Sequence, residues 1–198
     1  MSDFFQVFAL ERRLGIDVAA LQRRFYELSR QWHPDFHQAA PPDEQAQALE
    51  ASARVNAAYR ALRDPIARVE YLIRLEEGRE TKEGAAVKPK APPALLAEMF
   101  EIQEALEEAR PGPLDAAARA SLAAQRDALT ARMAEAEARI VGPLSLAWDA
   151  AVPAERPAAL AALKESLATR AYLRTVIDDL RAALGEGTEE THVAHRRD

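Results

Sequence analysis

The sequence predicts an all-α protein in two parts: a helical hairpin with short flanking helices, then an antiparallel three-helix bundle. Three observations predict it. Hydrophobic residues make up 48% of the 198 residues and aromatics only 6%, with Ala, Leu, Glu and Arg, which lose little rotamer freedom in a helix, prominent. The alternating Val, Ile, Thr and Tyr runs that mark strands are missing from the sequence. Apolar residues recur instead at steps of three and four. The organisation read from these patterns is 1–76 for the hairpin part, 77–93 for a Gly-, Pro-, Lys- and Glu-rich linker, 94–185 for the bundle, and 186–198 for a disordered tail.

Taken in order, Asp3 is placed to cap a short helix carrying Phe4, Phe5, Val7 and Phe8, and Asp17 a longer one. The longer helix has a stripe of Val18, Leu21, Phe25, Leu28 and Trp32, with Arg23, Arg24 and Arg30 away from it. It stops at His33-Pro34-Asp35, because proline lacks an N–H and restricts the residue before it. A third helix from about Asp43 to Arg63 offers Leu49, Val55, Tyr59 and Leu62 to the core. Asp64-Pro65, a cap plus first-turn proline, opens a fourth with Ile66, Val69, Leu72 and Ile73.

Beyond the linker come periodic segments at 94–109, 114–141 and 157–184, the first two joined by a tight turn at Arg110-Pro111-Gly112-Pro113. Leu122, Leu129, Met133 and Ile140 mark the second, and Leu160, Leu163, Leu167, Ile177, Leu180 and Leu184 the third. Gly142-Pro143 and the stretch from Pro153 to Pro157 read as breaks, with Trp148 packing at that second corner of the bundle.

Composition narrows the function classes. A net charge of −6 argues against general nucleic-acid binding, and zero cysteines exclude disulfides, thiolate chemistry and any cysteine-held zinc or cluster on this chain. The N-terminus has no basic region followed by an apolar stretch, and no run approaches the roughly 18 apolar residues of a membrane span. A soluble, cytoplasmic protein is expected. Gly-rich phosphate loops, nucleophile elbows and paired carboxylates do not present themselves, so no enzyme and no cofactor are expected. His33 and His37 are spaced i,i+4 like a metal pair, but Pro34 breaks the helix between them and no third ligand follows, so no metal is expected.

His33, Pro34 and Asp35 fall at the exposed tip of the hairpin, offering a donor, an acceptor and a fixed backbone. Alone, such a string is far more often no more than a helix-ending turn. After an amphipathic helix with basic residues, and before a long helix carrying Asn56 and Tyr59, it resembles the J domain. That family stimulates ATP hydrolysis in DnaK-type chaperones. The resemblance implies that His33, Pro34 and Asp35 dock on the chaperone together with Arg23, Arg24 and Arg30, which as bare chemistry are also an ordinary solvated face.

Further residues resemble the HscB branch: Asp3-Phe4-Phe5, Val7-Phe8-Ala9-Leu10, Ser52, Asn56, Ala58-Tyr59, Leu62, Asp64-Pro65, Arg68 and Glu70-Tyr71-Leu72. HscB proteins join a J domain to a C-terminal three-helix bundle and serve iron–sulfur cluster assembly, so the likeness covers nearly the whole chain. No Gly/Phe-rich or cysteine-rich module follows the J domain, unlike general-purpose DnaJ proteins. Where the family commonly has Lys-Phe after the tripeptide, this chain has Phe36-His37, the aromatic displaced by one position. The amino-terminal cysteine module of some eukaryotic relatives is missing, which points to the bacterial form.

In segment 94–109, Leu95, Met99, Ile102 and Leu106 form one stripe suited to the core, and Leu96 and Phe100 lie about 100° away. Two readings fit: a widened core stripe, or an exposed apolar patch rimmed by carboxylates. The HscB resemblance implies the second, with Leu96, Phe100, Glu101, Glu104 and Tyr172 binding the iron–sulfur scaffold protein, of the IscU type. An HscA- or DnaK-type chaperone would be the other partner, with no covalent chemistry in this chain. Two alternatives stay open: a J-domain adaptor for a different client, and a purely structural bundle.

Overall fold

The computed structural model describes residues 3–78 and 115–186, with Ala97, Phe100, Ile102 and Glu104 of the stretch between. The regular elements among the described residues are all helical. Residues 79–93 of the expected linker, the Arg110–Pro113 turn and residues 187–198 of the expected tail lie outside them.

Three of the first four helices start where a carboxylate satisfies a free backbone N–H. Asp3 opens α1 (Phe4–Val7) with a capping box: its carboxylate accepts from the Gln6 N–H at 2.9 Å and its own N–H donates to Gln6 Oε1 at 3.0 Å. Asp17 accepts from the Ala20 N–H at 3.0 Å to open α2 (Val18–Gln31). Asp64 accepts from the Ala67 N–H at 2.7 Å to open α4 (Pro65–Glu76). The remaining one, α3 (Pro42–Arg63), begins on a proline whose missing N–H would have had no helical acceptor.

α2 packs on α3 as the expected hairpin, the ring of Phe25 stacked on Tyr59 with centroids 4.0 Å apart. Leu21 and Leu28 of α2 and Ala48, Val55, Ala58 and Leu62 of α3 are buried. Leu49 was expected in this core and is 61% exposed. The buried line on α3 runs through Ala48, and Leu49 stands about 100° around the helix from it. Small Ala48 and Ala58 let the neighbouring backbone approach closely. Val18, at the first turn of α2, is likewise exposed. At the other end, Phe5 and Phe8 are buried with Tyr71 and Leu72 of α4. The Tyr71 hydroxyl accepts from the Phe4 N–H at 2.8 Å, its ring stacks on Phe4, and burial pushes its pKa up.

The chain divides into two compact units, one of Met1–Ala86 with Ile140–Leu163, the other of Val87–Arg139 with Lys164–Asp198. The corner expected to close the bundle therefore belongs with the N-terminal helices. Helix α5 (Ala116–Arg139) runs directly into a wide π turn, Ile140–Leu144, and then α6 (Ser145–Ala150). The break read at Gly142-Pro143 does not occur. Pro143 sits inside the π turn, whose extra residue makes room for its ring, and Ser145 Oγ donates to the Ile140 carbonyl at 2.6 Å. Ile140 and Trp148 are buried in the first unit, and Arg156 lies over the indole at 5.3 Å. Pro157 is accommodated in the first turn of α7 (Arg156–Leu184).

Asp149 is the polar link of this corner. Its two carboxylate oxygens accept from the consecutive N–H groups of Leu14 and Gly15, each at 2.7 Å. Asp149→Ala removes two charge-assisted acceptors and is expected to lower unfolding free energy by about 2 kcal/mol. Urea denaturation measures the loss, and hydrogen exchange at the Leu14 and Gly15 amides should speed up. Unchanged exchange at those amides would mean that apolar packing alone holds the loop.

In the second unit, Ile102, Leu122, Leu129, Leu173, Val176, Ile177, Leu180 and Leu184 form one core, with Met133 packed against it. Arg170 pairs with Glu137 at 2.7 Å across α5 and α7, and Arg119 donates to the Leu184 carbonyl at 3.0 Å. These tie the two long helices beside the apolar seam.

Candidate functional site

Pro34 ends α2 and opens a short 3-10 turn, Pro34–His37. His33 caps that turn: its Nδ1 accepts from the Asp35 N–H at 3.3 Å, and the Phe36 N–H donates to the His33 carbonyl at 3.0 Å. An accepting Nδ1 places the proton of the neutral ring on Nε2, so the half-exposed imidazole offers a partner an N–H donor. Asp35 stands beside it, one carboxylate oxygen 3.6 Å from His33 Nδ1 and the other accepting from Gln38 Nε2 at 3.3 Å. Its side chain is 70% exposed. Donor and acceptor are thus presented together across a rigid proline.

The turn is held from both sides. His37 Nε2 lies 3.0 Å from the Gln31 carbonyl, and its ring is near-parallel to Trp32 at 6.2 Å. Gln45 of α3 donates to the carbonyls of Gln38 (3.1 Å) and Ala40 (2.8 Å). Bonds to both flanking helices limit the movement of the tip, so a partner would meet it already in shape.

Arg23, Arg24 and Arg30 are all exposed on α2, but they are not equivalent. Arg24 pairs with Glu27 at 2.8 Å, which offsets its charge. Arg23 and Arg30, seven residues apart, share one face, and Tyr26 stands between them, 60% exposed. Tyr26 was missed in the sequence reading. Its spacing, three after Arg23 and four before Arg30, was the available signal. Phe36, the aromatic displaced by one position after the tripeptide, is 71% exposed beside His33.

The second expected site is partly described. Ile102 is buried, and Phe100 is 69% exposed with Glu104 also exposed, so the core stripe and the outer face separate as their spacing implied. Tyr172 is half-buried on α7. The aromatic pairs among the described residues involve neither Phe100 nor Tyr172, so those two rings are not stacked. Leu96 and Glu101 lie outside the described residues. Among the described residues no cluster of His, Asp or Glu could hold a metal ion, and no helix is long and apolar enough to cross a membrane.

Residues 3–71 match the DnaJ domain family. A co-chaperone protein HscB homolog of Bordetella petrii is 36% identical over 140 residues, which cover 70% of this chain and 78% of that protein. The chain belongs to the HscB family of co-chaperones. Its fold agrees with that of chaperone HscB from Vibrio cholerae (TM-score 0.64, 23% identity, 93% of this chain and 99% of that one). It also agrees with human co-chaperone protein HscB (TM-score 0.59, 25% identity, 92% and 82%). The HscB likeness extends over both the J domain and the helices that follow it. An HscB-type J-domain co-chaperone works with an Hsp70-type chaperone, and the His33-Pro34-Asp35 turn lies within the matched J domain.

Proposed function

We propose that this chain is a two-site adaptor which delivers an iron–sulfur scaffold protein of the IscU type to an HscA-type chaperone and stimulates that chaperone's ATPase. The observation that carries the reading is the rigid, exposed His33-Pro34-Asp35 turn in a chain of the HscB family. In this reading residues 1–76 act as the J domain, 77–93 as the linker and 94–185, apart from the 140–163 corner that joins the first unit, as the scaffold-binding bundle, ending in a tail at 186–198. Arg23, Arg24 and Arg30 bring the basic face of α2 to the chaperone, where complementary charge speeds encounter. His33 and Asp35 then favour the hydrolysis-competent chaperone conformation. The chemistry belongs to the chaperone, and this protein shifts its population.

Leu96, Phe100, Glu101, Glu104 and Tyr172 hold the scaffold. Exposed Phe100 supports this assignment, because an aromatic left in water beside a carboxylate is surface suited to a partner. Binding scaffold and chaperone on one chain raises their effective concentration, and hydrolysis closes the chaperone on the scaffold so that its cluster passes to recipients.

The test is steady-state ATPase activity of the chaperone with scaffold titrated in. Wild-type protein and scaffold should stimulate jointly. Phe100→Ala should raise the scaffold concentration for half-stimulation about tenfold (~1.4 kcal/mol) and leave scaffold-independent stimulation unchanged. Equal titrations for Phe100→Ala and wild type would place the scaffold elsewhere or assign another client.

A further inference from the structure

In a 3-10 turn successive side chains are separated by about 120°, so the neighbours Phe36 and His37 leave the turn on different sides. Here His37 takes the inner side, beside Trp32 and the Gln31 carbonyl. Phe36 is turned out. It is 71% exposed, and its ring contact is the edge of His33, with centroids 6.0 Å apart at 67°. Such a ring adds little to the fold. Yet its backbone is fixed, since its N–H donates to the His33 carbonyl at 3.0 Å, so burying it on a partner would cost little ordering.

We propose that Phe36 is the hydrophobic anchor of the chaperone-docking surface, filling an apolar recess on the DnaK-type chaperone next to the place where His33 and Asp35 bind. The occupant follows from continuity: Phe36 lies within the His33–His37 turn and touches His33, so a protein that engages the tripeptide also covers the ring. The surface then has two separable parts. Arg23 and Arg30 contribute a salt-screened attraction, while Phe36 contributes apolar burial that salt does not weaken. A chaperone paralogue lacking the recess would be engaged less well, which makes Phe36 a determinant of partner choice. The inference rests on the ATPase-stimulating role proposed above.

The experiment compares wild-type protein, Phe36→Ser, Phe36→Leu and His33→Gln in full-length form, titrated against the HscA-type chaperone at low and high salt. Circular dichroism should be unchanged for all three variants. Phe36→Ser should raise the half-stimulating concentration about tenfold at both salt concentrations with the maximal rate retained, and Phe36→Leu should stay within about twofold of wild type. A Phe36→Ser titration identical to wild type, while His33→Gln abolishes stimulation, would overturn the anchor and leave the adaptor reading standing. A lowered maximal rate in Phe36→Ser at unchanged half-stimulation would also overturn it, since the ring would then only position His33. If wild-type protein fails to stimulate the chaperone, both readings fall.

Discussion

His33→Gln is expected to abolish stimulation of the chaperone ATPase while the protein stays folded and still binds its scaffold. The imidazole is half exposed, and its one described hydrogen bond to the fold is a long one, Nδ1 accepting from the Asp35 N–H at 3.3 Å. Losing that local cap costs about 1 kcal/mol or less, because water reaches the same N–H. The functional loss is larger. Glutamine keeps a donor and an acceptor, but it is flexible and cannot present a ring N–H at the position fixed by the Pro34 turn. A Phe100-dependent scaffold pull-down that is equal for His33→Gln and wild type, with stimulation reduced to background, is the expected pair of results. Retained stimulation would mean that the tripeptide is only a helix-ending turn.

Arg68→Leu should cause the largest loss of stability, about 3 kcal/mol by urea denaturation. Arg68 is 4% exposed, and its guanidinium donates to the carbonyls of Leu62 (2.7 Å), Leu14 and, more weakly, Arg63 (3.5 Å). Burial lowers its pKa, and the charges of Asp64 and Asp149 oppose that shift. Leucine fills part of the volume but leaves buried carbonyls without donors, at about 1–3 kcal/mol each. Arg68→Lys should recover only part of the loss, because a compact ammonium cannot reach acceptors held by a planar fork. A loss below about 1 kcal/mol in Arg68→Leu would show that water replaces the guanidinium. The network has a consequence for function. Leu14 donates to Asp149 and accepts from Arg68, so the loop leading into α2, and with it the basic face, is held by residues far apart in the chain.

Much of the N-terminal unit was legible because its determinants are local. The caps at Asp3, Asp17 and Asp64 act within three residues, and Pro34 stops α2 whatever surrounds it. The position of the His33-Pro34-Asp35 tip follows from those alone. The separation of buried Ile102 from exposed Phe100 was legible for a similar reason, since helical spacing sets which residues share a face.

The failures share a different cause. Leu49 is more apolar than Ala48, yet Ala48 is buried, because how closely two helices approach decides which side chain fits between them. Phe36 and His37 are both candidates for the space behind the turn, and the 3-10 geometry chooses His37. Ile140, Trp148 and Leu163 have the spacing of bundle residues, and periodicity says that a face is buried without saying against what. The start and stop points of the N-terminal helices, the exposed tripeptide and the family were determined by the sequence itself, through interactions spanning a few residues. Which unit the 140–163 corner joins, and the Asp149–Leu14–Arg68 link that completes it, were decided only by tertiary structure, because those contacts pair groups 54 to 135 residues apart and leave no local pattern.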